Sequence, residues 1–379
     1  MTRPAPFATV VAWAAYRGAA CHEGITVPIN RAASFICPLA FSRRGILAAG
    51  AVAAGGAVFG GTLTDSAEAS PAGHAVRPSA LRPGDVVRVV APAGKPSPTL
   101  IARGIEILTS WGLTVETAPH VFDQHGYLAG TDENRLADLN AALADPKVRG
   151  VFAARGGYGV QRIVDGVDVR AVRRDPKVVV GFSDITSLQD RLWRAARLVT
   201  IHGPMVNWSD SRTGPDSAEA LRRAVMTTDP ITINRDPAEP SAAVKVPGTA
   251  RGTLLGGNLT LLDRAVGTAD LPDLRGAILF FEEVDEPPYR LDGMLTHLRR
   301  AGALRSVAGV AIGQILNSVT APGGWDAATT LQDRLGDLGV PVVGGLRLGH
   351  GTGQLTIPLG AKATVNATAG TLTAEAGVS

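Results

Sequence analysis

Residues 178–186 read VVVGFSDIT. A run of β-branched residues ends at Gly181, and Ser183 and Asp184 stand in front of a stretch with helical spacing. That is the pattern of a buried strand, a tight turn and a helix start. Such a turn lifts a hydroxyl above the sheet edge and points backbone N–H groups at a developing negative charge. The chemistry on offer is nucleophilic attack by Ser183. The G-x-S-x-G spacing of a hydrolase elbow is not met, because Ile185 occupies the second glycine position. Ser183 or Asp184 would serve equally well as a helix N-cap. A second glycine turn, ARGGYG at residues 154–159, also follows an apolar run. Gly156 and Gly157 let the backbone come close to a substrate. No G-K-[ST] follows to make a phosphate loop, and no acid follows at dinucleotide spacing.

A serine nucleophile needs a base and a carboxylate that orients it. His350 lies in LGHG, residues 348–351, where small neighbours give the ring room. His202 in IHGP is the rival base. Glu282 ends the apolar run at residues 278–281, and a carboxylate at the tip of a buried strand needs a partner. Glu283 follows it. Side chains alternate along a strand, so only one of the two acids can face the site, and the other is expected in solvent. The histidine spacing offers no metal site, and no cofactor is expected.

These groups must be carried by elements, and the chain alternates strands with helices. Strands are expected at residues 86–91, 113–118, 151–154 and 178–181, with helices at 99–112, 133–144, 160–164 and 185–196. This order argues for a parallel sheet with helices on both faces. Residues 228–248 hold four prolines and mark a boundary. Beyond it come a strand at 252–255, a turn at 256–258, helices at 259–266 and 291–301, strands at 277–281, 307–314 and 340–344, and a closing hairpin at 364–374. The expected organisation is an α/β domain at 81–235, a linker at 236–250 and a smaller β-rich, barrel-like α+β domain at 251–379.

The whole chain has 379 residues, 37 basic and 34 acidic, for a formal charge of +3. That balance excludes a dedicated nucleic-acid binder. Hydrophobic residues make up 45%, which excludes global disorder. Cys21 and Cys37 are the only cysteines, too few for a disulfide scaffold or a thiolate zinc site. Arg43 and Arg44 precede a mild, uncharged Ala/Gly-rich run, and Ala67-Glu68-Ala69 then makes a small-x-small cleavage site. Residues 1–69 therefore read as a twin-arginine-type export signal. A retained membrane anchor is the rival, and the patternless first 41 residues leave a misassigned start open. Both cysteines would be lost on cleavage. Residues 70–80 read as a disordered leader, and no stable membrane insertion is expected after processing.

Together these segments resemble the LD-carboxypeptidase family of serine peptidases, which includes the muropeptide LD-carboxypeptidases and the microcin C self-immunity peptidases. The matching stretches are residues 81–85, 154–159, 181–186, 201–205, 255–259, 279–290 and 345–360, in the family's order. The resemblance implies a flavodoxin-like N-terminal domain and a β-rich C-terminal domain with a site between them. It makes Ser183 the nucleophile, Glu282 the orienting carboxylate and His350 the base. Backbone N–H groups of Asp184 and of Gly156, in preference to Gly157, would form the oxyanion hole. Gly157, Tyr158, Gly257 and Asn258 are expected to contact substrate. The implied reaction cuts the bond from an L-centre to a terminal D-amino acid, such as D-Ala of a peptidoglycan tetrapeptide. A peptidyl-nucleotide substrate, with Trp208 stacking on the base, is an alternative, although a buried tryptophan is the plainer role. A non-catalytic exported binding protein and an α/β-hydrolase esterase are further alternatives. A homodimer is compatible with the reading.

Overall fold

A computed structural model describes residues 73–379. The expected export signal and both cysteines lie outside the described residues. Five segments form parallel strands: β1 (Val86–Val90), β2 (Thr114–Thr117), β3 (Val148–Ala153), β4 (Val178–Gly181) and β5 (Thr200–His202). Helices α1 (Pro98–Ser110), α2 (Asp132–Ala144), α3 (Val169–Arg174) and α4 (Thr186–Ala196) connect them. The central strands are buried, as covered parallel sheets require, and so read as near-continuous Val/Ile runs. Thr131 starts α2 by accepting a hydrogen bond from the N–H of Asn134. Helix α5 (Pro215–Met226) follows, with a proline at its first position.

The second sheet has eight strands. It uses β6 (Ile231–Asn234), β7 (Lys245–Val246), β8 (Thr249–Asn258), β9 (Ile278–Val284), β10 (Gly309–Leu316) and β11 (Val342–Val343). Strands β13 (Lys362–Asn366) and β14 (Thr371–Ala374) complete it as the closing hairpin. Strands β8 to β11 are parallel neighbours, covered by α6 (Leu259–Ala265), α7 (Pro288–Arg300) and α8 (Ala327–Leu335). Strand β12 (Ile357–Leu359) leaves this half and pairs antiparallel with β5, giving the first sheet the order β12-β5-β4-β3-β1-β2. The α/β class with a second, β-rich half is therefore present. Among the described residues no helix is long and apolar enough to cross a membrane.

Several local expectations need correction. Residues 160–164 form two 3-10 turns, Val160–Arg162 and Val164–Gly166, because the segment is too short to sustain α-helical bonding. The expected leader is ordered where it is described: the Val76 N–H donates to the Arg197 carbonyl at 2.8 Å, and the Ala80 N–H to Ser379 at 2.9 Å. The stretch expected as a linker carries a 3-10 turn at Pro240–Ala243 and strand β7, with Ser241 buried. Strand β6, assigned by sequence to the first domain, is an edge of the second sheet. Strand β8 also runs straight through the expected turn at 256–258. Gly256 has φ +132°, and a Cβ there would fall on the Phe280 carbonyl oxygen of the adjacent strand.

That contact generates a prediction. Gly256→Ala places a side chain both in a backbone region closed to it and onto a buried carbonyl. It should lower the thermal midpoint by at least about 5 °C or prevent folding, given losses of roughly 3 kcal/mol or more for such strain and overlap. A melting curve superimposable on that of the parent would contradict this reading of β8.

Candidate active site

Strand β4 delivers Ser183. Phe182 is extended, and Ser183 then takes φ +64°, a left-handed conformation uncommon for a residue with a side chain. The Ser183–Ile185 3-10 turn leads directly into α4. The Asp184 side chain turns inward and accepts the Val160 N–H at 2.9 Å. Burial pushes its carboxyl up to about 6, against the pull of that N–H and of Arg135. This bond ties the serine turn to the end of the glycine turn. The buried Arg135 guanidinium donates to the Gly159 carbonyl at 3.0 Å and to that of Pro92, and Gly156 O accepts the Gly94 N–H at 3.0 Å. A Cβ on Gly156 would sit 3.2 Å from Ser183 Oγ and 3.5 Å from the Asp184 nitrogen. The bare backbone of Gly156 therefore flanks the hydroxyl.

The second sheet supplies the other two groups. Glu282 lies on β9 where β10 bulges: Ile312 pairs with Phe281 and Ile315 with Glu283, leaving Gly313 and Gln314 out of register. Glu282 has no solvent exposure. Its Oε2 lies 2.6 Å from His350 Nδ1, and His350 Nε2 lies 3.0 Å from Ser183 Oγ. Gly349, at φ +136°, passes so close that a Cβ would lie 2.9 Å from Glu282 Oε2. Burial acts against a charged His350 ring, but the charge and hydrogen bond of Glu282 outweigh it and raise the imidazolium pKa above 6.5. Burial likewise acts against ionised Glu282, and His350 outweighs it and holds the carboxyl below its ordinary value. The Phe182 ring meets His350 edge-on at 4.8 Å. Such a chain can hold one tautomer, take a proton from the hydroxyl and stabilise the resulting imidazolium.

The structure brings Ser183, Glu282, His350, Gly156 and Asp184 together, and Gly157 lines the same cleft of about 560 Å³. Other expected residues lie elsewhere. Tyr158 is 40% exposed and packs against Tyr127, outside the cleft lining. Gly257 is a close-packing residue, since a Cβ there would lie 2.5 Å from Thr186 Oγ1. Asn258 is buried, caps α6 through Leu261 and donates to Glu283 Oε1 at 3.0 Å. Glu283 does point away from Glu282, but not into solvent. It is buried and accepts from Asn258, from the Thr260 N–H at 2.7 Å and from the Val284 N–H. Burial, and then the charge of Glu282, push its carboxyl up. The helix α6 start covers it, which the sequence did not reveal. His202, the rival base, is buried on β5 between Phe182 and Phe280, and burial lowers its pKa to about 4. Trp208 is buried in the core of the first half.

Two supporting residues escaped sequence reasoning. Gln314 Oε1 accepts the Gly351 N–H at 2.8 Å, fixing the His350 loop from the bulge. Ser241 Oγ donates to the Gly313 carbonyl at 2.7 Å and accepts from the Gly345 N–H. A polar residue ending the apolar run of β10 was the one signal for Gln314. Ser241 had none, standing in a proline-rich stretch. Among the described residues no group of three or more His, Cys, Asp or Glu is placed to hold a metal ion.

Comparison with known proteins places this arrangement in a class. The LD-carboxypeptidase N-terminal domain profile matches residues 87–203, and the LD-carboxypeptidase C-terminal domain profile matches 251–365. The chain belongs to the LD-carboxypeptidase family of serine peptidases. It is 37% identical to the "Probable murein peptide carboxypeptidase" of Bacillus subtilis over 80% of this chain and 95% of that one. Among solved structures it resembles the muramoyltetrapeptide carboxypeptidase of Oxalobacter formigenes, with 29% identity, a TM-score of 0.67, and coverage of 76% of this chain and 97% of that one. The microcin C7 self-immunity protein MccF, solved with glutamyl sulfamoyl guanosine, has the same fold at a TM-score of 0.72 and 19% identity, over 79% of this chain and 98% of that one.

The Glu282–His350 contact has a measurable consequence. A histidine raised by an adjacent carboxylate should lose that elevation when the charge is removed. NMR titration should place His350 above 6.5 in the parent and distinctly lower in Glu282→Gln. An unchanged His350 titration in the variant would show that the 2.6 Å contact does not govern the ring.

Proposed function

We propose that the protein is an exported serine LD-carboxypeptidase that removes a terminal D-amino acid, D-Ala, from peptidoglycan tetrapeptides through an acyl-enzyme. The observation that carries this is the hydrogen-bonded chain from Glu282 through His350 to the strained Ser183 at the floor of an open cleft. In the proposed reaction Ser183 Oγ attacks the scissile carbonyl while His350 Nε2 takes its proton. The oxyanion accepts hydrogen bonds from the Gly156 and Asp184 N–H groups. Collapse breaks the amide bond, and His350 passes the proton to the departing amine. Water, deprotonated by His350, then attacks the ester carbonyl; the Ser183 Oγ–acyl bond breaks as His350 returns the proton to Oγ, which releases the shortened peptide as its carboxylic acid. The murein and muramoyltetrapeptide names of the relatives support the choice of substrate.

The fold of MccF supports a second reading, cleavage of a peptidyl-nucleotide. Burial of Trp208 removes the aromatic platform expected for a base and favours the muropeptide. A non-catalytic binding role is disfavoured, because binding alone has no need of an aligned nucleophile, base and carboxylate.

Ser183→Ala should stay folded and lose at least about a thousandfold in turnover of a disaccharide tetrapeptide, as for removal of any such nucleophile. Near-parental release of D-Ala by that variant, followed by chromatography, would sink the assignment. Export is a separate test. Arg43→Lys with Arg44→Lys should retain the precursor inside the cell, because the recognition reads guanidinium pairs and not charge alone. Undiminished export of the double variant would exclude the twin-arginine route.

A further inference from the structure

The cleft that holds Ser183 and His350 is also lined by Arg155, Arg212 and Asn207. Arg155 adjoins Gly156, and its Nη1 is fixed by the Lys95 carbonyl at 2.8 Å. Arg212 belongs to a turn in which its own N–H and that of Thr213 donate to Ser209. The Arg212 carbonyl accepts the Gly353 N–H at 2.8 Å, which ties this turn to the loop carrying His350. Several arginines elsewhere are paired, as Arg162 is with Asp132 and Arg299 with Asp337. Arg212 has no such partner among the described residues. Arg212 is exposed, and desolvation by the groups around it, then the charge of Arg155, lower its pKa. Asp285, the acid that shares the cleft lining, is engaged by Asn317 Nδ2 at 2.8 Å.

Arg155 and Arg212 line one cleft, and neither forms an ion pair among the described residues, so their like charges repel one another. The arrangement gains free energy when an anion enters, and a planar fork suits a carboxylate best. In a peptide cut at its last bond, the α-carboxylate lies one residue beyond the scissile carbonyl, within about 3.8 Å in Cα spacing. The group that reads it must therefore line the same cleft as Ser183.

We propose that Arg212, backed by Arg155, binds the terminal α-carboxylate of the substrate and so confines cleavage to the last residue. This rests on the hydrolase reading of the cleft. A chain that continues past the scissile bond, or ends in an amide, would leave both cations unneutralised. Arg212 is thus a specificity-determining residue, distinct from the groups that move protons.

The test separates binding from turnover. Ser183→Ala is titrated calorimetrically with a tetrapeptide ending in free D-Ala and with the same peptide as its C-terminal amide. The free acid should bind at least about tenfold more tightly, in keeping with a charge-assisted pair. Adding Arg212→Gln should erase that preference, and Arg212→Lys should restore part of it. Equal affinity for acid and amide, no measurable binding of either, or a preference that survives Arg212→Gln would each overturn the proposal. The hydrolase reading fails by a different result, absence of D-Ala release by the unaltered protein. In that case the acid preference and its loss in Arg212→Gln still decide the carboxylate site.

Discussion

A carboxylate without contact with water must be held by groups that favour its charge, and the placing of Glu282 is the constraint on which the site depends. Ionising it in the protein interior is costly unless a cation or donor faces it. His350 does so at 2.6 Å, and the exchange works in both directions: the ring holds the carboxyl ionised, and the carboxylate strengthens the ring as a base. Space for that pair comes from the bulge in β10 and from glycines at 313 and 349, where any side chain would press on Glu282. The His350 loop is then pinned by Gln314, and the bulge by Ser241. Removing either charge leaves the other buried and uncompensated. Buried His202 nearby, with its pKa lowered to about 4, adds no cation near neutral pH.

The chain of contacts spans two sheets. Ser183 is carried by the first, Glu282 by the second, and alignment to within 3.0 Å requires the sheets to keep register with each other. The chain meets this by interlocking its halves. Strand β12 crosses from the C-terminal half to extend the first sheet beside β5. The Asn258 N–H at the end of β8 donates to Thr186 Oγ1 at the start of α4, an approach that the lack of a side chain at Gly257 permits. Thr186 lies three residues after Ser183, so the contact that joins the halves lies beside the Ser183 turn.

Much of this was legible in sequence, for identifiable reasons. Fully buried parallel strands must be apolar along their length, so β1, β3, β4 and β9 stand out as runs. The alternation of such runs with helical periods gives the α/β class. Ser183, Glu282 and His350 each end or follow an apolar run, where chemistry-bearing side chains can be presented at a sheet edge. What was not legible depended on tertiary cover. Asn258 and Gly257 read as a turn facing substrate because two glycines precede an asparagine, yet the glycines let β8 continue against β9 and α4. Glu283 read as solvated because nothing local says that α6 starts over it. Strand β12 contains a proline, Pro358, and is flanked by the glycines of a loop. Its pairing partner lies more than 150 residues earlier in the chain, so local pattern cannot reveal it.

The central claim, that Ser183 forms an ester with the shortened peptide, is tested most directly by mass spectrometry of a rapidly quenched reaction with a disaccharide tetrapeptide. The account predicts free D-Ala in the supernatant and a muropeptide acyl adduct confined to the proteolytic fragment containing Ser183. D-Ala release with an adduct on another residue, or undiminished release by Ser183→Ala without any adduct, would contradict it.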